Sequence, residues 1–164
     1  MTRVGDQVHT WDVINEAVSD FPNQQFVPSG INEPKISNIV CKIFKKAKQV
    51  RQNLNAPQMR LALNDYDHAS INSTKSEKVF NLVKNLKNNN CGIDTVGFEL
   101  HIDKNFEDFS GVRANINRYR DIGIKVHFTE VEVRCGVIGN VCEIDETDPD
   151  AIWTHAMLEK QQGR

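Results

Sequence analysis

The sequence predicts an α/β chain built on a parallel sheet. Short runs of β-forming residues alternate with longer segments of helical periodicity, Pro and Gly separate them, and polar residues gather just after the apolar runs. The 164 residues suggest one domain by length, and 39% hydrophobic with 26% charged residues lies within reach of a globular fold, far from disorder.

Val8 to Ile14 reads as the first strand, carried by Val8, Trp11, Val13 and Ile14. Asn15 and Glu16 stand at its C-terminal end, and Pro22, Pro28 and Gly30 mark a loop. From about Glu33 to Gln52, Ile36, Ile39, Val40, Ile43, Phe44, Ala47 and Val50 recur at helical spacing with lysines between them, and Pro34 fits the first turn. Met59 to Leu63 is a short apolar run followed by Asn64, Asp65 and Tyr66. A second helix is expected from about Thr74 to Asn88, with Ser73 or Thr74 as its cap and Val79, Leu82, Val83 and Leu86 on one face. Thr95 to Leu100 reads as a third strand leading to His101, and about Gly111 to Arg120 as a third helix ended by Gly123. Ile124 to Val133 reads as a fourth strand bearing Thr129, Glu130 and Glu132. A loop over roughly Arg134 to Thr147 then precedes a last helix opened by Pro149, with Trp153 in its packing face.

The formal net charge of -2 implies neither a nucleic-acid nor an anionic-membrane partner. No run of 18 apolar residues occurs, and Met1 to Asp6 has no apolar leader pattern. The four cysteines form no CxxC pair, so they do not read as a zinc site. Cys135 and Cys142 flank a short loop and read equally well as a disulfide or as two thiols, whereas Cys41 reads as a small buried hydrophobe. Asn72-Ser73-Thr74 is an N-glycosylation sequon, meaningful only in a eukaryotic secretory pathway. His9, His68, His127 and His155 lack ligand-like spacing, and no metal or organic cofactor is implied.

The β-α order places Asn15 and Glu16, then Asn64 to Tyr66, then His101, then Glu130 at the C-terminal ends of four successive strands. That edge is the ligand face both of a (β/α)8 barrel and of an open doubly wound sheet, and the pattern alone does not separate them. There is no GxGxxG and no GxxxxGK[ST], which removes the usual nucleotide-binding signatures. Glu16 and Glu130, far apart in sequence but both at strand ends, suit the cleavage of a glycosidic bond. That reaction needs one protonated carboxyl for the leaving oxygen and one ionised carboxylate for the anomeric carbon.

Four motifs carry a family resemblance. His9 to Ala17, with Trp11-Asp12-Val13-Ile14-Asn15-Glu16-Ala17, is similar to the W-D-V-V-N-E-A signature of glycoside hydrolase family 10. Phe128 to Val133 resembles its T-E-L-D-V segment, Leu63 to Tyr66 its N-D-Y, and Val96 to His101 its G-x-Q-x-H. The resemblance implies an incomplete (β/α)8 TIM barrel of about four β/α units over residues 1–164, from a retaining endo-1,4-β-xylanase. It implies Glu16 as acid/base and Glu130 as nucleophile. Asn15 would contact the sugar 2-hydroxyl, Tyr66 would stack on the leaving-side sugar, and His101 would bond the nucleophile, with Asp12, Glu99 and Glu132 as supporting carboxylates. The implied partner is xylan or a xylo-oligosaccharide, and the implied parent protein is monomeric and secreted.

Glu99 stands where the family usually has Gln, and Glu132 where it usually has Asp. A second carboxylate beside Glu130 is expected to raise the pKa of one of them. A (β/α)8 barrel takes about 250 residues, so three initial units and the eighth have no counterpart here, and Met1 reads as an internal methionine or the start of a partial reading frame. The expectation is an active parent and a poorly active isolated segment. The competing readings are a non-catalytic truncated or degenerate homologue that at most binds polysaccharide, and a barrel hydrolase acting on another β-glucan.

Overall fold

The computed structural model describes residue 1 and residues 7–18, 33–103 and 105–134. Seven elements follow in the order β1 (Thr10–Asn15), α1 (Glu33–Asn53), β2 (Arg60–Tyr66), α2 (Ser76–Asn88), β3 (Thr95–Asp103), α3 (Phe109–Asp121) and β4 (Lys125–Arg134). The strands form one parallel sheet in the order β1-β2-β3-β4. Each strand lies beside its successor, so the described sheet has no switch point of the doubly wound kind. It is an arc of a (β/α)8 barrel. The expected last helix, Trp153, Cys135 and Cys142 lie outside the described residues.

The core lies between the sheet and the helices. Leu61 and Leu63 of β2, and Val96 and Phe98 of β3, point the same way because strand side chains alternate. They meet Val40, Phe44 and Ala47 of α1, Val79, Val83 and Leu86 of α2, and Val112 and Tyr119 of α3 in one apolar cluster. The helix residues recur at three- and four-residue steps, the spacing that puts them on one face. Phe98 touches Tyr119 edge-on at a centroid distance of 5.7 Å, and Tyr119 touches Phe80 at 5.2 Å. Each such side chain, once buried, stabilises the fold by about 1.5–3 kcal/mol. Ile39 and Ile43 lie at the margin of the apolar stripe of α1, 41% and 40% exposed.

Polar anchors fix the connections. His68 is fully buried after β2, with its Nε2 3.1 Å from the carbonyl of Gly97. Burial pushes its pKa down to about 4, so the ring is neutral at ordinary pH. Asn115 of α3 donates to the carbonyls of His68 and Ala69 at 2.7 and 2.9 Å. Asp108 caps α3 by accepting from the Gly111 N–H at 3.0 Å. The cap expected for α2 is different: Lys75 occupies that position without a side-chain capping bond, and the Ser73 hydroxyl donates to the carbonyl of Asp67.

Cys41 is not a solitary small hydrophobe. It forms a disulfide with Cys91, with Cα atoms 5.1 Å apart, tying α1 to the turn that follows α2. Neither spacing nor periodicity marks this pair, because the partners meet only when the two helices pack. The bridge closes a loop with a sequence separation of 50. A loop of that size corresponds to about 2–4 kcal/mol of stabilisation, largely by restricting the unfolded chain. Urea unfolding of a Cys91→Ser variant, or of the protein under reductant, should therefore show a loss of that order with unchanged cooperativity.

Candidate active site

The polar groups collect on the opposite face of the sheet, and two irregularities in strand pairing put them there. In β1, Asp12 pairs with Ala62 but Ile14 pairs with Leu63, so Val13 is an extra residue. In β4, Phe128 pairs with Phe98 but Glu130 pairs with Glu99, so Thr129 is extra. Strand side chains alternate between faces, so one additional residue moves everything beyond it to the other side. The extra residues bring Asn15 level with Asn64, Glu130 level with Glu99, and Glu132 level with His101 on the face away from the helices.

Asn64 is the hub of this face. Its side-chain amide donates to Asn15 Oδ1 and Glu99 Oε1, both at 2.7 Å, and its Oδ1 accepts from the Thr129 hydroxyl at 2.6 Å. Its carbonyl accepts from the backbone N–H of Glu16 at 2.9 Å. One 4% exposed residue thus ties β1, β3 and β4 together. Glu16 follows β1 in a left-handed turn with φ of 52°, and its Oε1 lies 3.3 Å from the Asn15 amide nitrogen. Gly97 lies opposite Asn64, and a Cβ there would overlap Asn64 Oδ1 and come within 3.0 Å of its Cγ.

His101 stands among three carboxylates. Its Nδ1 is 2.9 Å from Glu132 Oε1, and its Nε2 is 3.3 Å from Glu99 Oε2 and 3.5 Å from Glu130 Oε2. When Nδ1 donates to Glu132, a proton must lie between Nε2 and the Glu99–Glu130 pair, on the ring or on a carboxyl. Glu99 suits that role, because burial pushes its pKa up, and the charges of Glu130 and Glu16 push it further. The His101 contact opposes them. The candidate ligand atoms of Glu99, His101 and Glu130 all lie within 4.8 Å of one another, a spacing that could hold a cation. His101 Nε2 already contacts both carboxylates, at 3.3 Å from Glu99 and 3.5 Å from Glu130.

The expected site residues thus divide into two groups. Asn15, Glu16, Glu99, His101, Glu130 and Glu132 converge, and Tyr66 pairs in register with Glu99 at the end of β2. Asp12 stands lower on the sheet, where burial raises its pKa and the charge of His127 opposes the shift. His127 is 3.2 Å from Arg60. Asn64, Thr129, Asp65 and Lys75 were not singled out as site residues, although the N-D-Y motif contains the first and third. Beside the cluster, a cavity of about 620 Å³ is bordered by Glu99, His101, Lys75, Asn72 and Phe106.

A parallel strand arc with carboxylates and an imidazole along its C-terminal half defines a chain of the (β/α)8 class, with its site at the usual rim. Residues 1–160 match the family model for glycosyl hydrolase family 10, and the chain belongs to that family. It is 33% identical over 128 residues to endo-1,4-β-xylanase B of Thermotoga neapolitana, covering 77% of this chain and 34% of that protein. It is 29% identical over 163 residues to an endo-1,4-β-xylanase of Geobacillus stearothermophilus, covering 99% of this chain and 46% of that protein. The chain therefore spans less than half the length of these relatives. Among solved structures it resembles native xylanase 10B from Thermotoga maritima, with a TM-score of 0.67 and 32% identity, over 85% of this chain and 40% of that one.

If Asn64 holds the rim together, Gly97→Ala should cost roughly 10²-fold in kcat/KM for glycoside cleavage, by displacing the Asn64 amide. Circular dichroism should show the fold retained. A variant with unchanged kinetics would remove Asn64 from this role.

Proposed function

We propose that the protein carrying this chain is a retaining endo-1,4-β-xylanase, cleaving internal β-1,4-xylosidic bonds of xylan by double displacement. The observation that carries this reading is the convergence of Glu16, Glu99, His101, Glu130 and Glu132 on one rim. Family membership and the xylanase names of its relatives support the substrate class. A family 10 xylanase from Bispora sp. has been solved with xylobiose, and this chain is 29% identical to it, with a TM-score of 0.69 over 80% of this chain and 39% of that one.

In this reading Glu130 attacks the anomeric carbon. Glu16 protonates the leaving oxygen and then deprotonates the incoming water. Asn15 meets the 2-hydroxyl of the sugar being transferred, an interaction that strengthens as the oxocarbenium ion develops. Tyr66 supports the leaving-side sugar. His101 holds the nucleophile, and Glu132 fixes the ring. Glu99 shares a proton with the His101–Glu130 pair. Secretion is the proposed location, and the Cys41–Cys91 bond supports it, because disulfides persist in oxidising compartments.

Reducing-sugar release from xylan tests the activity, and its absence would favour a non-catalytic homologue. Glu16→Ala and Glu130→Ala should each lower kcat by on the order of 10²–10⁴-fold, and a 2-fluoro xylobioside should label Glu130. A label on Glu99 would overturn the assignment of roles. In Glu99→Gln the rim loses a carboxyl whose pKa burial and neighbouring charge raise. With that titration removed, the acidic limb of the pH–rate profile should move to lower pH than in the unmodified protein. Superimposable profiles would exclude Glu99 from the titrating cluster.

A further inference from the structure

Lys75 is 3% exposed, immediately ahead of α2. A buried ammonium is costly unless it is paired. Here Nζ lies 2.6 Å from Asp65 Oδ1 and 3.3 Å above the centroid of the Tyr66 ring. Asp65 is itself fully buried. Its Oδ1 also accepts from the Tyr66 N–H, and its Oδ2 accepts from the N–H of Val18, each at 3.0 Å. Val18 lies two residues beyond Glu16. One buried ion pair therefore reaches both the turn that carries Glu16 and the ring at the end of β2.

We propose that Lys75 is a positioning residue for the leaving-side half of the site: its ammonium, clamped between Asp65 and Tyr66, pins the ring and leaves only its opposite face for a sugar. This rests on the reading of Tyr66 as a sugar platform. The ammonium occupies one π-face at cation–π distance. A pyranose approaching the ring must therefore stack on the other, and an unpinned ring would offer its faces in shifting orientations. Because Asp65 also holds the Val18 N–H, the same pair sets the platform and the Glu16 turn in register with each other.

The test compares two substrates in the protein carrying this chain. Xylotetraose places a sugar on the leaving side, whereas 4-nitrophenyl β-xylobioside has an aryl leaving group. Lys75→Met alone would leave Asp65 buried without its counter-ion, so Lys75→Met/Asp65→Asn, which removes both charges, is the informative variant. Its kcat/KM on xylotetraose should fall about tenfold, mainly through KM, and on the aryl substrate less than about twofold. Lys75→Arg should recover most of the loss, and in a Tyr66→Ala background the paired substitution should have no further effect. Equal losses on both substrates, or none on xylotetraose, would overturn the proposal. If the unmodified protein cleaves neither substrate, the xylanase reading has failed. Lys75 is then judged from a crystal structure of the paired variant: a displaced Tyr66 ring supports its positioning role, and an unmoved ring refutes it.

Discussion

The amide of Asn64 is the constraint on which the rim depends. A parallel sheet fixes neighbouring strands by backbone hydrogen bonds, but those bonds do not specify how side chains on the inner face stand relative to one another. A primary amide offers donors and an acceptor in one plane. At Asn64 the donors take Asn15 and Glu99 while the acceptor takes Thr129, joining three strands through one buried group. Its backbone carbonyl holds the Glu16 turn. A hydrophobic residue of similar size could fill the space but could not choose among these orientations. The small side of the arrangement is Gly97, whose missing Cβ leaves room for the amide.

The sheet separates structural and chemical work between its faces. The helix side is apolar and closely packed, with Phe44, Leu61, Leu63, Val96, Phe98 and Tyr119 essentially inaccessible to water. Charges on the other side are tolerated because each has a partner or solvent. Glu130 and Glu132 are 57% and 45% exposed at their side chains, whereas Glu99, at 4%, is held by Asn64 and His101. The buried Lys75–Asp65 pair is the exception to the division, a charged contact among packed groups. Breaking one half of such a pair costs more than replacing both.

Much of the fold was legible because it follows from periodicity. Val79, Val83 and Leu86 announce the buried face of α2, and the β-branched runs locate the strands to within a few residues. The grouping of Asn15, Asn64, His101 and Glu130 was legible for a related reason: polar residues directly after apolar runs have nowhere to go but the strand ends. Three features escaped. The Cys41–Cys91 bond depends on how two helices pack, which local pattern does not encode. Nothing in the sequence marks Lys75, because only the folded chain shows that Asp65 and Tyr66 enclose it. The extra residues at Val13 and Thr129 were invisible because alternation read along a strand assumes unbroken register.

Those two extra residues give the family signature an unusual sensitivity. Deleting Thr129 would leave Glu130 next to Phe128 and still opposite Glu99, at the loss of one hydrogen bond to Asn64, but keeping Thr129 in a straightened strand would turn Glu130 and Glu132 toward the helices, with no change in their order along the chain. A straightened β4 would still read as the same motif letter by letter while presenting the wrong surface to a sugar. The pairing of this strand therefore carries as much chemical meaning as the identity of its acids.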